Sequence, residues 1–262
     1  MATSPKTDGP VGAATATVVE RGEVSDSGGS GIGQLSRWGG VAALAGVASM
    51  VGTVIVVVAL GLPDAADPET LTDFADIESG RIAEHFLYLG ALVLFALHVF
   101  VLNRLLRAAH SAAALFGTVL QAFGLVILAA SAMLHVSTVP LARLYTAPGA
   151  SPEDLRAIEY SWTAAQSVFD TMLATGLLLV PIGIALMGLA LRGSDLYGRW
   201  LSWIAIILGL VGTIGAAIEV VDTDSDLSAL SVLAMVVFHL LVGWQTMTLS
   251  TKKKFDLPHD TH

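Results

Sequence analysis

Six long apolar stretches alternate with polar connections along the chain, at 38–62, 82–106, 112–136, 165–191, 200–221 and 227–250. Each reaches or exceeds the about 20 residues that an α-helix needs to cross a hydrocarbon core of about 30 Å. The pattern predicts an all-α fold, a polytopic membrane bundle of six transmembrane helices. Composition agrees: 54% of the chain is hydrophobic and only 13% is charged, against about 25% charged in soluble domains. Six spans in 262 residues leave no room for a separate soluble domain of ordinary size. The expected organisation is a cytoplasmic tail at 1–36, a transmembrane domain at 37–251 and a basic cytoplasmic tail at 252–262. The first of these is Gly-, Ser-, Thr- and Ala-rich and has too little apolar surface to fold, so it is expected to be disordered. The first apolar run starts too late and runs too long for a cleaved secretory signal, and reads as a retained span.

Charge sets the expected orientation. Asp64, Asp67, Glu69, Asp73, Asp76 and Glu78 lie between the first two spans, with Arg81 as the only base, and Asp222, Asp224 and Asp226 lie between the last two. The opposite connections carry Arg37, Arg104, Arg107, Arg192, Arg199 and the run Lys252, Lys253, Lys254. Basic residues in short loops mark the cytoplasmic side, so both termini are expected inside, in the cell membrane. Arg143 and Arg156 sit in the third–fourth connection beside Glu153, Asp154 and Glu159, which makes that loop the weakest witness. The acidic outer loops either gather cations or are simply solvated. A net charge of −9 with one short basic run argues against nucleic acid as a partner. There is no cysteine, which excludes disulfides and thiolate chemistry.

Within this frame some local structure is legible. Asp67-Pro68-Glu69 has the form of an N-cap followed by proline, so the second helix is expected to begin near Pro68 and pass Gly80. Ser151-Pro152-Glu153-Asp154 reads as a capping box with Asp in the acidic place. Leu155, Ile158, Trp162, Ala165 and Phe169 follow at helical spacing, predicting a helical extension or a short surface helix before the fourth span. Trp162, Tyr160 and Tyr145 suit an outer aromatic belt, and Trp38, Trp200 and Trp203 an inner one. Ala45, Ser49 and Thr53, and Gly209, Thr213 and Ala217, form small-residue stripes. These fit close helix packing in one bundle or the seam of a homo-oligomer. Pro181, flanked by Gly176 and Gly183, predicts a helix kink.

Ionisable side chains inside spans are costly and tend to be functional. His85 with neighbouring Glu84, His135, Asp170 and Glu219 come from four helices and fall in one outer-leaflet layer. At about 1.5 Å per residue that layer lies roughly 12 Å outside the midplane. Two histidines and two carboxylates suit zinc, iron or manganese, and open coordination would activate water. The same set would serve as a proton relay, a cation entrance or a structural hydrogen-bond network. His98 and His239 lie deeper, near the midplane. His85 and His98 share a helix but point about 140° apart, and no second helix carries a matching pair, so a bis-haem arrangement is unsupported. A single haem between His98 and His239 fits less well than a hydrogen bond from each to a neighbouring helix. The chain has no phosphate-binding Gly-x-x-x-x-Gly-Lys, no His-Glu-x-x-His and no Gly-x-Ser-x-Gly.

Leu196-Tyr-Gly-Arg-Trp-Leu-Ser-Trp203, a short inner loop leading into a Gly-rich fifth span, resembles a family of uncharacterised prokaryotic six-helix membrane proteins. An Arg-Trp-Leu turn, an acidic first outer loop and a Gly/Ala-rich third span carry the resemblance, over roughly 38–249. It implies a domain of unknown function and brings no catalytic residue. Three functions stay open: a protein that binds or moves a small solute or proton, a metal-dependent membrane enzyme, and a structural or regulatory subunit without a site. The first, non-enzymatic reading is preferred.

Overall fold

The computed structural model describes residues 27–62, 71–72, 77–107, 111–222 and 225–252. Among them every regular element is helical: α1 (Ser27–Leu60), α2 (Glu78–Leu106), α3 (Ser111–Val136), α4 (Val139–Tyr145), α5 (Pro152–Arg192), α6 (Arg199–Val221), a 3-10 turn (Asp226–Ser228) and α7 (Ala229–Lys252). Six helices are long and apolar enough to cross a membrane, and α4, at 7 residues, is not one of them. Their outward faces expose large apolar side chains such as Val58, Phe100, Phe123, Ile214 and Leu233. Water would not tolerate so continuous an apolar surface, and lipid would.

The six helices pack as a ring in chain order. α1 lies on α2, α2 on α3, α3 on α5, α5 on α6, α6 on α7, and α7 closes back onto α1. Without a hydrophobic force between protein and lipid, such packing depends on close backbone approach. Glycines supply it along α3 and α5. A methyl group on Gly117 would come 3.0 Å from the Gly183 carbonyl oxygen, and one on Gly124 would come 3.0 Å from that of Gly176. These pairs recur every seven residues, the repeat of left-handed helix packing. α5 continues through Pro181, whose ring faces Gly212 of α6.

The small-residue stripes also work inside the chain. Ser49 Oγ donates to the Leu87 carbonyl of α2 at 2.7 Å, and Gly46 lies against Phe95. Gly209 and Gly212 meet α5, while Gly215 meets Leu227 and Leu230. Ser231 Oγ of α7 donates to the Gly212 carbonyl at 2.6 Å.

Two departures from the sequence pattern stand out, the start of α1 and the surroundings of Trp162, beside one expectation that is met and one that lies outside the described residues. α1 begins at Ser27, so 27–36 continue the first span as helix although composition assigned them to the tail; 1–26 lie outside the described residues. Gly-rich sequence nucleates helix poorly, but extending a helix already formed needs only propagation. The Asp67-Pro68-Glu69 start also lies outside the described residues, and α2 is seen from Glu78. The capping box is present, with the Asp154 backbone N–H donating to Ser151 Oγ and the Ser151 N–H to Asp154. It opens a single 41-residue helix, so the segment before the fourth span is an extension of α5. At about 1.5 Å per residue α5 is roughly 60 Å long, about twice a hydrocarbon core.

That extra length packs against α4, which the apolar pattern did not reveal. Trp162 is 0% exposed there, against Leu71, Val139 and Ala142. It is the centre of a small second core and not a belt residue, because α4 folds over the face that the belt reading left to lipid. Arg143 of α4 grips Glu78 of α2 with two bonds, Nε to Oε2 at 2.8 Å and Nη2 to Oε1.

Candidate functional site

Of the polar layer expected from the sequence, the structure brings His85 and His135 together, with Glu84 and Arg81 beside His85. Arg81, Glu84 and His85 lie at positions i, i+3 and i+4 on one face of α2. Arg81 Nη1 donates to Glu84 Oε2 at 3.1 Å. The same carboxylate oxygen lies 3.6 Å from His85 Nδ1. His135 stands at the end of α3, where Thr138 caps its carbonyl with both its backbone N–H and its hydroxyl, at 3.0 and 2.7 Å. That turn fixes the helix end and starts α4.

His85 and His135 meet across α2 and α3. His85 Nδ1 is 2.9 Å from the Arg81 carbonyl oxygen, and His85 Nε2 is 2.9 Å from His135 Nδ1. A carbonyl oxygen only accepts, so the proton belongs on His85 Nδ1. In the neutral ring Nε2 is then the acceptor, and His135 Nδ1–H donates to it. The tautomers follow from the partners, and the chain of bonds has one direction: His135 to His85 to the α2 backbone. Both rings are nearly closed to solvent, at 6% and 3% exposure. Phe169 of α5 lies 4.8 Å from the His135 ring, centre to centre.

Asp170, next in sequence to Phe169, is exposed. Glu219 Oε2 accepts the Ser228 backbone N–H at 2.9 Å. It thereby satisfies a donor at the start of α7 that no helical carbonyl reaches. Among the described residues no three His, Asp or Glu side chains gather closely enough to hold a metal ion.

The deep histidines are each other's partner. His98 Nδ1 of α2 and His239 Nδ1 of α7 are 2.8 Å apart, and both residues are 0% exposed. Phe95 stacks on His239 at 4.0 Å and 10°. An iron between two imidazoles needs about 2 Å to each nitrogen, so rings closed to 2.8 Å leave no place for it between these atoms. One ring carries its proton on Nδ1 and the other on Nε2. Neither Nε2 has a hydrogen-bond partner. An orphaned buried donor or acceptor costs about 1–3 kcal/mol.

Toward the opposite end of the helices from His135, Tyr197 lies 2.9 Å from Thr246 Oγ1 in buried surroundings. Thr246 gives its own proton to the Val242 carbonyl at 2.7 Å, so Tyr197 is the donor of the pair. Arg81, Tyr197 and Thr246 were not among the candidate site residues. The i, i+3, i+4 set beginning at Arg81 was a readable signal, whereas the Tyr197–Thr246 pair joins residues 49 apart and had none.

The family described as "Domain of unknown function (DUF4386)" matches residues 38–246. No curated protein and no solved structure matches the chain. The match runs from Trp38 in α1 to Thr246 in α7 and takes in all six long helices. The chain belongs to the DUF4386 family.

Proposed function

We propose that this chain is a multi-pass protein of the cell membrane, with both termini cytoplasmic, that takes up and hands on protons at the outer-leaflet cluster of Arg81, Glu84, His85 and His135. The orientation is supported by Arg104, Arg107, Arg192, Arg199 and Lys252, which all flank one end of the helices. At the other end, Arg81 and Arg143 are each paired with a glutamate, which offsets their charge.

The observation that carries the functional reading is the His135–His85 hydrogen bond, held in a buried setting with its direction fixed by the Arg81 carbonyl. Within the pair a proton moves along the hydrogen bond itself and needs no cavity there, unlike a solute. If His85 Nε2 takes up a proton, the bond to His135 must reverse. His135 then accepts at Nδ1 and carries its own proton on Nε2. Uptake at one ring is thus coupled to a proton shift at the other. Glu84 beside His85 offers the compensating negative charge.

The test is proton flux into vesicles containing purified protein and an internal pH dye, with a potassium-clamped membrane potential. The wild type is expected to exceed protein-free vesicles, and His135→Phe to lower the flux at least tenfold. A wild-type flux equal to that of empty vesicles refutes the reading.

A further inference from the structure

We infer that the His98–His239 pair is a mid-membrane station that carries protons onward between the outer cluster and the inner Tyr197–Thr246 pair; this rests on the outer-cluster reading above. The two rings touch through Nδ1 at 2.8 Å and present both Nε2 atoms, fully buried and unpartnered, outward from the pair. A pair that only ties α2 to α7 gains nothing from leaving both buried Nε2 atoms unpartnered, which costs stability. A relay needs both.

The proton balance closes. In the neutral pair one ring, A, holds its proton on Nδ1 and leaves Nε2 bare; the other, B, holds its proton on Nε2. A proton arriving at Nε2 of A forms an N–H bond there. The Nδ1–H bond of A then breaks as Nδ1 of B takes that proton, and the Nε2–H of B leaves to the next acceptor. One proton has entered, one has left, and no net charge remains. The two rings have exchanged tautomers, so the pair is now set to pass a proton the opposite way. Passage in the original direction again requires a tautomeric reset, which makes the pair a slow, gated shuttle.

Placement supports this role. His98 lies thirteen residues below His85 on α2, about 20 Å along the axis. Thr246 lies seven residues below His239 on one face of α7, about 10 Å further in. Three buried hydrogen-bonded pairs thus stand at outer, middle and inner levels. Water molecules are the carriers required across the two intervals.

The discriminating variant is His98→Asn with His239→Asn. An asparagine amide reaches the place of Nδ1 and keeps the tie between helices, but has no atom in the place of Nε2. In the vesicle assay the double variant is expected to lose at least tenfold in flux while unfolding at the wild-type midpoint. Unchanged flux in this variant, with flux still lowered by His135→Phe, overturns the deep station and leaves the outer reading standing. Flux indifferent to both changes overturns both. Should the variant not fold, wild-type protein with 15N-labelled histidine decides by NMR. The deep Nε2–H is expected to exchange with deuterated water far faster than the protein unfolds. Exchange limited by global unfolding overturns the inference.

Discussion

Replacing Gly183 with alanine puts a methyl group 2.8 Å from both the Gln121 backbone nitrogen and the Gly117 carbonyl oxygen of α3. Neither is the end of a flexible side chain, and ordinary van der Waals contact begins at 3.4 Å. The α3 and α5 backbones must therefore part locally by about 0.6 Å, loosening the Gly124–Gly176 contact one heptad away. Overpacking of this kind costs about 1–3 kcal/mol. Alanine also favours helix over glycine by about 1 kcal/mol, which would mask part of the loss. Gly52→Ala in α1 is the matched control, because its methyl group would meet only Leu87 Cδ1 at 3.7 Å. The propensity gain is common to both variants, so the difference between them isolates the clash. Unfolding in detergent by a denaturing surfactant, followed by circular dichroism, should place Gly183→Ala about 1–3 kcal/mol below Gly52→Ala. Equal stabilities would refute the claim that backbone contact holds α3 to α5.

Trp162→Ala should cost about 3–5 kcal/mol in the same assay, as for other fully buried aromatics; a loss under about 1 kcal/mol would return Trp162 to the lipid interface. Glu219→Gln keeps an oxygen for the Ser228 N–H and should leave both stability and proton flux near wild type, whereas Glu219→Ala should lower stability alone. A loss of flux in Glu219→Gln would show that its carboxylate takes part in the chemistry. Ser231→Ala removes the bond to the Gly212 carbonyl and should cost about 0.6–1.7 kcal/mol, the range for hydrogen bonds between membrane helices. No change at all would mean that the α6–α7 contact rests on packing.

The spans were legible because length and hydropathy are properties of each segment alone. α3 begins at Ser111 against an expected 112, and α6 begins at Arg199 against 200. α4 escaped because seven residues with Pro140, Arg143 and Tyr145 show no apolar run, and its packing depends on α5 beside it. The capping box was read correctly because its partners are three residues apart. The histidine pairs were not readable, since His135 and His85 are 50 residues apart and His239 and His98 are 141 apart. Depth along each helix placed the deep histidines near one level, but only the folded bundle, with α2 and α7 on either side of α1, brings the two rings together. Depth along a helix is readable from a sequence, and rotation about its axis relative to its neighbours is not.

The ring order of the helices also has a consequence for biosynthesis. A helix leaving the ribosome finds its docking surface on the helix made just before it, so most of the bundle can assemble as it is inserted. The α1–α7 seam is the exception. Gly40 fits against Met247, and Ala43 against Gly243, so the first helix made must wait for the last. Until then the Gly40–Ala43 face of α1 meets lipid or a chaperone, and a chain truncated before Ala229 would carry that bare seam permanently.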